Sequence, residues 1–110
     1  MATPRDYSVA FARVAQGDLH SIVGFIAADD PLAAARVLDQ IEGRVASLMK
    51  LPGRGRVVPE LAAFGIRTYR ELLVAPWRIV YRISGRTIHV LAVLDGRRNI
   101  EDVLLDRVVR

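Results

Sequence analysis

Tyr69-Arg-Glu-Leu-Leu-Val-Ala-Pro-Trp-Arg-Ile-Val-Tyr-Arg-Ile-Ser-Gly-Arg-Thr-Ile-His-Val-Leu-Ala-Val-Leu-Asp-Gly-Arg-Arg98 is the stretch that decides the fold. Three apolar runs are divided by Ala75-Pro76 and Ser84-Gly85, and Asp95-Gly96 closes the third. Trp77, Ile79, Tyr81 and Ile83 alternate with Arg78, Val80 and Arg82. Alternation at period two sends one face to a core and leaves the other to carry the arginines. Pro76 cannot donate to a ladder, and Gly85 permits the positive φ of a tight hairpin. The pattern predicts an antiparallel meander over about Ile66–Val74, Trp77–Ile83 and Thr87–Leu94.

Upstream, Tyr7, Val9 and Phe11 alternate with Ser8 and Ala10, which reads as a short strand at a sheet edge. Leu19, Ile22, Val23 and Ile26 form the stripe of an amphipathic helix over about Arg13–Ala28, an ordinary core face. Asp30-Pro31 is a start signal, with Asp30 as N-cap and Pro31 at the first helical position. Ala34, Leu38, Ile41, Val45 and Leu48 carry a second helix to about Lys50, where Pro52-Gly53 stops it. Two helices with so short a connection are antiparallel neighbours. Leu51–Gly65, rich in Pro and Gly, reads as a loop bearing Arg54 and Arg56. Ile100, Val103, Leu104 and Val108 predict a short C-terminal helix. The fold class is therefore α+β in two layers: an N-terminal helical hairpin packed on an antiparallel three- to four-stranded sheet, with residues 1–110 forming one domain.

Composition narrows the function classes. The chain is 52% hydrophobic, too apolar for a disordered segment, and no apolar run approaches the roughly 20 residues that span a bilayer. The N-terminal residues lack the apolar core of a signal peptide. Cysteine is absent and there are two histidines, His20 and His89, which excludes disulfides, thiolate chemistry and a Cys/His zinc site. A cytoplasmic protein without metal or cofactor is expected. Net charge is +4, but residues 44–98 hold eleven basic and three acidic side chains, net +8, while residues 1–43 are net −3. Fifteen of the sixteen basic residues are arginine, whose planar fork binds phosphate and carboxylate bidentately.

Arg78 and Arg82 share a face with Val80, and Arg97 and Arg98 follow the next strand. This reads as a cationic patch for nucleic-acid phosphate or an acidic partner, against the alternative of a solvated face. His89 reads as a strand residue rather than a general base, and Glu71 as a cross-strand ion pair rather than a catalytic carboxylate. Trp77 and Tyr81 point to the opposite face and read as core rather than a stacking platform. Glu60 could anchor the loop or touch a target.

Several motifs in order resemble the ParE/RelE superfamily of bacterial toxins. They are Asp18-Leu19-x-x-Ile22, Pro31, Leu51-Pro52-x-x-Gly55-Arg56, Pro59-Glu60-Leu61, Tyr69-Arg70-Glu71-Leu72, Trp77-Arg78-Ile79-Val80-Tyr81-Arg82 and Gly96-Arg97-Arg98. The resemblance covers nearly the whole chain and is nearer to the ParE branch. It implies the toxin half of a type II toxin–antitoxin pair, with a cognate antitoxin as partner. The ParE branch poisons DNA gyrase; the RelE branch cleaves mRNA on the ribosome, which needs a base, an acid and cations for the phosphate. Carried over residue by residue, Arg70, Arg78 and Arg98 match the cations of the nuclease branch. The second strand base falls on Leu72 and the C-terminal tyrosine near Leu104. Both are departures that remove an evident acid–base pair. Asp95 stands where a histidine is frequent, and serves as well if that position only opens a turn.

The resemblance thus implies a growth inhibitor that binds a macromolecular target, DNA gyrase first, with a ribosome-dependent nuclease or a non-toxic binding module as alternatives. Arg70, Arg78, Arg82, Arg97 and Arg98 are its target-binding candidates. Arg54, Arg56, Trp77 and Arg86 are its antitoxin-binding candidates. Arg78→Ala and Arg98→Ala are expected to weaken toxicity and leave the fold intact.

Overall fold

The computed structural model describes residues 6–97 and 100–109. Strand β1 (Ser8–Phe11) is followed by helices α1 (Arg13–Ala27) and α2 (Pro31–Ala46), a 3-10 turn (Ser47–Met49) and strand β2 (Arg56–Val57). Then come the one-turn helix α3 (Pro59–Ala62), strands β3 (Tyr69–Val74), β4 (Trp77–Ser84) and β5 (Thr87–Asp95), and helix α4 (Glu101–Val109). No helix among the described residues is long and apolar enough to cross a membrane.

Local signals account for most boundaries. Asp30 caps α2 by accepting from the Ala33 amide at 3.1 Å, with Pro31 at the first helical position. Gly85 takes φ +59° in the β4–β5 turn, as the Ser84-Gly85 break predicted. The helix α2 ends at Ala46 and tightens into the 3-10 turn rather than running helical to Lys50.

The α+β class holds, and the sheet is larger than expected. It has five strands in the order β1-β5-β4-β3-β2 and is mixed, not wholly antiparallel. Edge strand β1 pairs parallel with β5, Ser8 opposite Thr87 and Phe11 opposite Val90. Parallel pairing needs a long crossover, and the helical hairpin together with β3 and β4 supplies it. At the other edge β2 adds two residues inside the stretch read as loop, with Arg56 opposite Glu71. The α3 turn lies in the same stretch.

Helices cover both faces of the sheet, so the chain has three layers rather than two. On one face α1 and α2 bury Ala15, Ile41, Val45 and Leu48 against Leu72, Ile79, Tyr81, Val90 and Val93. On the other face α3 and α4 bury Leu61, Ile100 and Leu104 against Val58, Val80 and Ala92. The face expected to lie open beneath the arginines is therefore half covered. Each fully buried Leu or Ile contributes on the order of 1.5–3 kcal/mol, so the second core is a structural layer rather than a frayed tail.

Candidate functional site: a locked arginine and an apolar groove

Residues directly opposite across a ladder share a face. Arg78 lies opposite Leu73 and Leu94, and Arg82 opposite Tyr69 and His89, so both belong to the α3/α4 face. Arg70 lies opposite Tyr81 and belongs to the helical-hairpin face. Arg78 and Arg82 thus share a face with Val80, as the alternation indicated, while the other strand candidate, Arg70, stands on the opposite face. Arg98 lies outside the described residues.

Arg78 is not a surface cation. It is buried, and its three nitrogens are taken: Nε donates to Glu71 Oε1 at 2.6 Å, Nη1 to Glu60 Oε2 at 2.8 Å and Nη2 to Glu60 Oε1 at 2.6 Å. Glu71, wholly shielded, also accepts from Arg56 Nε at 2.6 Å. Glu71 is thus the cross-strand ion pair that its position suggested, and Glu60 anchors the chain after β2. The hydrogen bonds from Arg78 hold the Glu60 carboxyl below its ordinary pKa against the opposing effect of burial. Glu60, ahead of Glu71, raises the Arg78 pKa in turn, again against burial. Every buried polar side-chain atom among the described residues has a partner.

The remaining candidates divide between the two ends of the sheet. Arg70 Nη1 donates to the Gly55 carbonyl at 2.7 Å, and Arg86 lies 5.1 Å over the Tyr7 ring. Arg54 and Arg56 are exposed beside β2. Tyr81 fastens this region: its hydroxyl donates to the Pro52 carbonyl at 2.8 Å and accepts from the Gly55 amide at 3.0 Å. A Cβ on Gly55 would stand 2.6 Å from the Glu71 carbonyl oxygen and 2.7 Å from the Tyr81 hydroxyl, so only glycine fits. His89 is a half-buried strand residue of β5.

At the opposite end Trp77 packs at the margin of the first core and faces Asp95 across the ladder. Asp95 turns the chain: Oδ1 accepts from the Arg97 amide at 2.9 Å, and its oxygens hold the Arg97 guanidinium at 3.0 and 2.7 Å. Trp77 and the trio Arg54, Arg56 and Arg86 therefore lie at different ends of the sheet, and no single groove holds all four antitoxin candidates.

An open groove of about 730 Å³ runs between α1 and the end of the sheet. Its apolar walls are Val14, Ile22 and Phe25 on one side and Trp77, Val93 and Leu94 on the other, with Arg97 and Arg107 among its charged residues. Phe25 is 82% exposed. Asp18 and Arg107 close one flank: Arg107 Nη1 and Nη2 donate to Asp18 at 2.6 and 2.9 Å, and Asp18 Oδ2 also accepts from the Val93 amide at 2.9 Å. The sequence offered no local sign of this latch, because its members are 89 residues apart. Phe25 did leave a sign: it is an aromatic off the Leu19/Ile22/Ile26 stripe.

The profile of the ParE toxin of type II toxin–antitoxin systems matches residues 9–100. The chain belongs to the ParE toxin family. It is 32% identical to toxin ParE3 of Caulobacter vibrioides over 89 residues, covering 80% of this chain and 85% of that protein. It is 38% identical to the putative toxin Y4kP of Sinorhizobium fredii over 88 residues, covering 78% and 84%. Its fold is similar to that of a chain in the chromosomal ParDE system of P. aeruginosa, with TM-score 0.66, 22% identity, and 82% and 96% of the two chains covered. It is also similar to a chain of the RelBE2 toxin–antitoxin complex of Mycobacterium tuberculosis, with TM-score 0.53, 25% identity and 80% and 95% covered. Leu72 is buried in the first core and Leu104 in the second.

Proposed function

We propose that this ParE-family toxin arrests growth in the cytoplasm by binding DNA gyrase, without catalysing a reaction of its own, and that a cognate antitoxin neutralises it. The observation that carries the non-catalytic reading is Arg78. A cation that serves phosphate chemistry must present donors to the scissile group. Here each of the three guanidinium nitrogens already donates to Glu60 or Glu71, and the guanidinium is buried between those two carboxylates rather than presented to solvent. On the resemblance, the second base would fall on Leu72 and the tyrosine near Leu104, and both are core leucines, which cannot move a proton.

The antitoxin is proposed to seat an apolar segment in the groove between α1 and the sheet end, with Phe25 and Trp77 as anchors and acidic groups toward Arg97 and Arg107. A disordered partner segment that alternates apolar and acidic residues matches that lining, and folds as it binds. Similar folds come from a chromosomal ParDE system and a RelBE2 toxin–antitoxin complex, which supports an antitoxin as the class of partner.

Purified toxin in a gyrase supercoiling assay and in a translating-ribosome cleavage assay separates the readings. Inhibition of supercoiling with intact message is expected. Message cut at codon boundaries while gyrase stays active would sink the proposal.

A further inference from the structure

Six arginines crowd the end of the sheet away from the groove. Arg54 and Arg56 lie in and before β2, Arg67 and Arg70 at the start of β3, and Arg82 and Arg86 where β4 turns into β5. The ladder brings them to neighbouring levels: Arg56 opposite Glu71, Arg70 opposite Val57 and Tyr81, Arg82 opposite Tyr69, and Ser84 opposite Thr87 at the turn. Arg56 is paired with Glu71 at 2.6 Å, and the compensation of the rest is limited. Glu71 is fully buried and shared with Arg78, and Asp6 is held by Lys50 at 3.1 Å. Arg70 spends a donor on the neutral Gly55 carbonyl, and Arg54, Arg67 and Arg82 make no ion pair among the described residues.

We infer that this end of the molecule binds the backbone of double-stranded DNA without reading its sequence. Three features favour that occupant. The arginines come from both faces: Arg70 stands on the helical-hairpin side and Arg82 on the α3/α4 side. A partner touching both must straddle the end of the sheet, which a thick rod does and a single extended peptide does not. From β2 to the β4–β5 turn is between two and three strand spacings, about 12 Å, which matches the width of a major groove of about 12 Å and reaches the phosphates on its two sides. Single-stranded nucleic acid is held chiefly by stacking on open rings. Here Tyr7 lies under Arg86, Tyr81 is fully buried, and Tyr69 packs on the second core. What is left is charge, which is the sequence-independent part of DNA binding. The inference does not depend on the identity of the toxin's target.

The test is fluorescence anisotropy of the full chain with a labelled duplex of about 30 base pairs at about 50 mM salt, repeated as salt rises. Parallel arms use a single-stranded RNA of equal length and a peptide alternating glutamate and leucine. We expect duplex binding whose logarithm falls with log salt at a slope near −4, about four phosphates contacted. The triple variant Arg54→Glu, Arg67→Glu, Arg82→Glu should bind at least about 10-fold more weakly, and Arg13→Glu with Arg36→Glu on the helical hairpin should change binding less than about two-fold. Each variant is checked for an unchanged melting transition. If the glutamates disturb it, the same three positions carry glutamine, with a loss of about five-fold expected. Absence of duplex binding, a triple variant that binds like the parent, or tighter binding of the RNA or the acidic peptide each overturns the inference.

Discussion

Arg78 Nε and Glu71 Oε1 stand 2.6 Å apart with the carboxylate wholly shielded from water. Between them they tie β4 to β3, and Arg56 on the far oxygen ties β3 to β2. Breaking a buried pair by removing one partner leaves an uncompensated charge, typically at a cost of about 3–5 kcal/mol. Glu71→Ala should lower the unfolding free energy by that order. Glu71→Gln, which keeps the shape but not the charge, should cost less. Chemical denaturation of the two variants checks the order; equal losses would mean that charge is not what Glu71 supplies.

Tyr81→Phe removes one donor and one acceptor while keeping the ring in the core. The Gly55 amide and the Pro52 carbonyl lose their partner, and the expected destabilisation is about 1–3 kcal/mol. Gly55→Ala forces atoms closer than contact and should cost a similar amount, about 1–3 kcal/mol. Because both act on one contact, the double variant should lose less than the two single losses added together. Thermal melts of the three variants decide it, and simple additivity would count against a shared contact.

Stability should fall at both extremes of pH, for different reasons. The Glu60 pKa is depressed by Arg78, so its contribution is complete above its ordinary value of 4.5 and is lost as pH falls from there through the folded-state value. The Tyr81 pKa is raised, first by burial, so its contribution is complete below its ordinary value of 10.0 and is lost as pH climbs through the folded-state value. Glu60→Gln should flatten the acid limb alone, and Tyr81→Phe the alkaline limb alone. Melting temperatures recorded against pH test the assignment, and a limb untouched by its own variant refutes it.

The latch between α1 and α4 has a measurable role. Asp18→Asn weakens two charge-assisted hydrogen bonds to Arg107, and Asp18→Ala also strips the Val93 amide of its acceptor. The alanine variant should cost about 2–3 kcal/mol and the asparagine variant less. Amide exchange should quicken in α4 before it does in β3 or β4. Uniform acceleration across the sheet would show that Asp18 supports the whole fold rather than one helix.

Phe25→Asp should weaken antitoxin binding about 30-fold, near 2 kcal/mol, as expected for an aromatic anchor at the centre of an interface. With 82% of the residue exposed, the melting temperature of the free toxin should stay unchanged. Titration of the cognate antitoxin into parent and variant decides the matter; equal affinity removes the groove from the interface.

What the sequence conveyed was mostly local. Asp30-Pro31 announced the start of α2, the alternation from Trp77 to Ile83 announced β4, and Ser84-Gly85 announced its turn. What it hid was long-range. Alternation implies one buried face, yet Arg78, Ile79, Val80 and Tyr81 are buried in succession, because α4 returns to cover Val80. Nothing near Val80 in the chain signals Leu104. The expectation that Arg78→Ala leaves the fold intact rested on an exposed arginine and is withdrawn with it. A two-residue strand such as β2 has no period to detect. The apolar walls of the groove come from α1, β4 and β5, so only Phe25, off its helical stripe, hinted at the site.

The pairing of β1 with β5 also sets an order of events during synthesis. Ser8 meets Thr87 across 79 residues. At about 5–20 residues per second, the first strand waits roughly 4–16 s for its partner to be made. Until then β1 has no neighbour in the sheet, and the groove lacks Val93, Leu94 and Arg107. If the antitoxin takes the groove proposed above, a newborn chain offers it no finished seat.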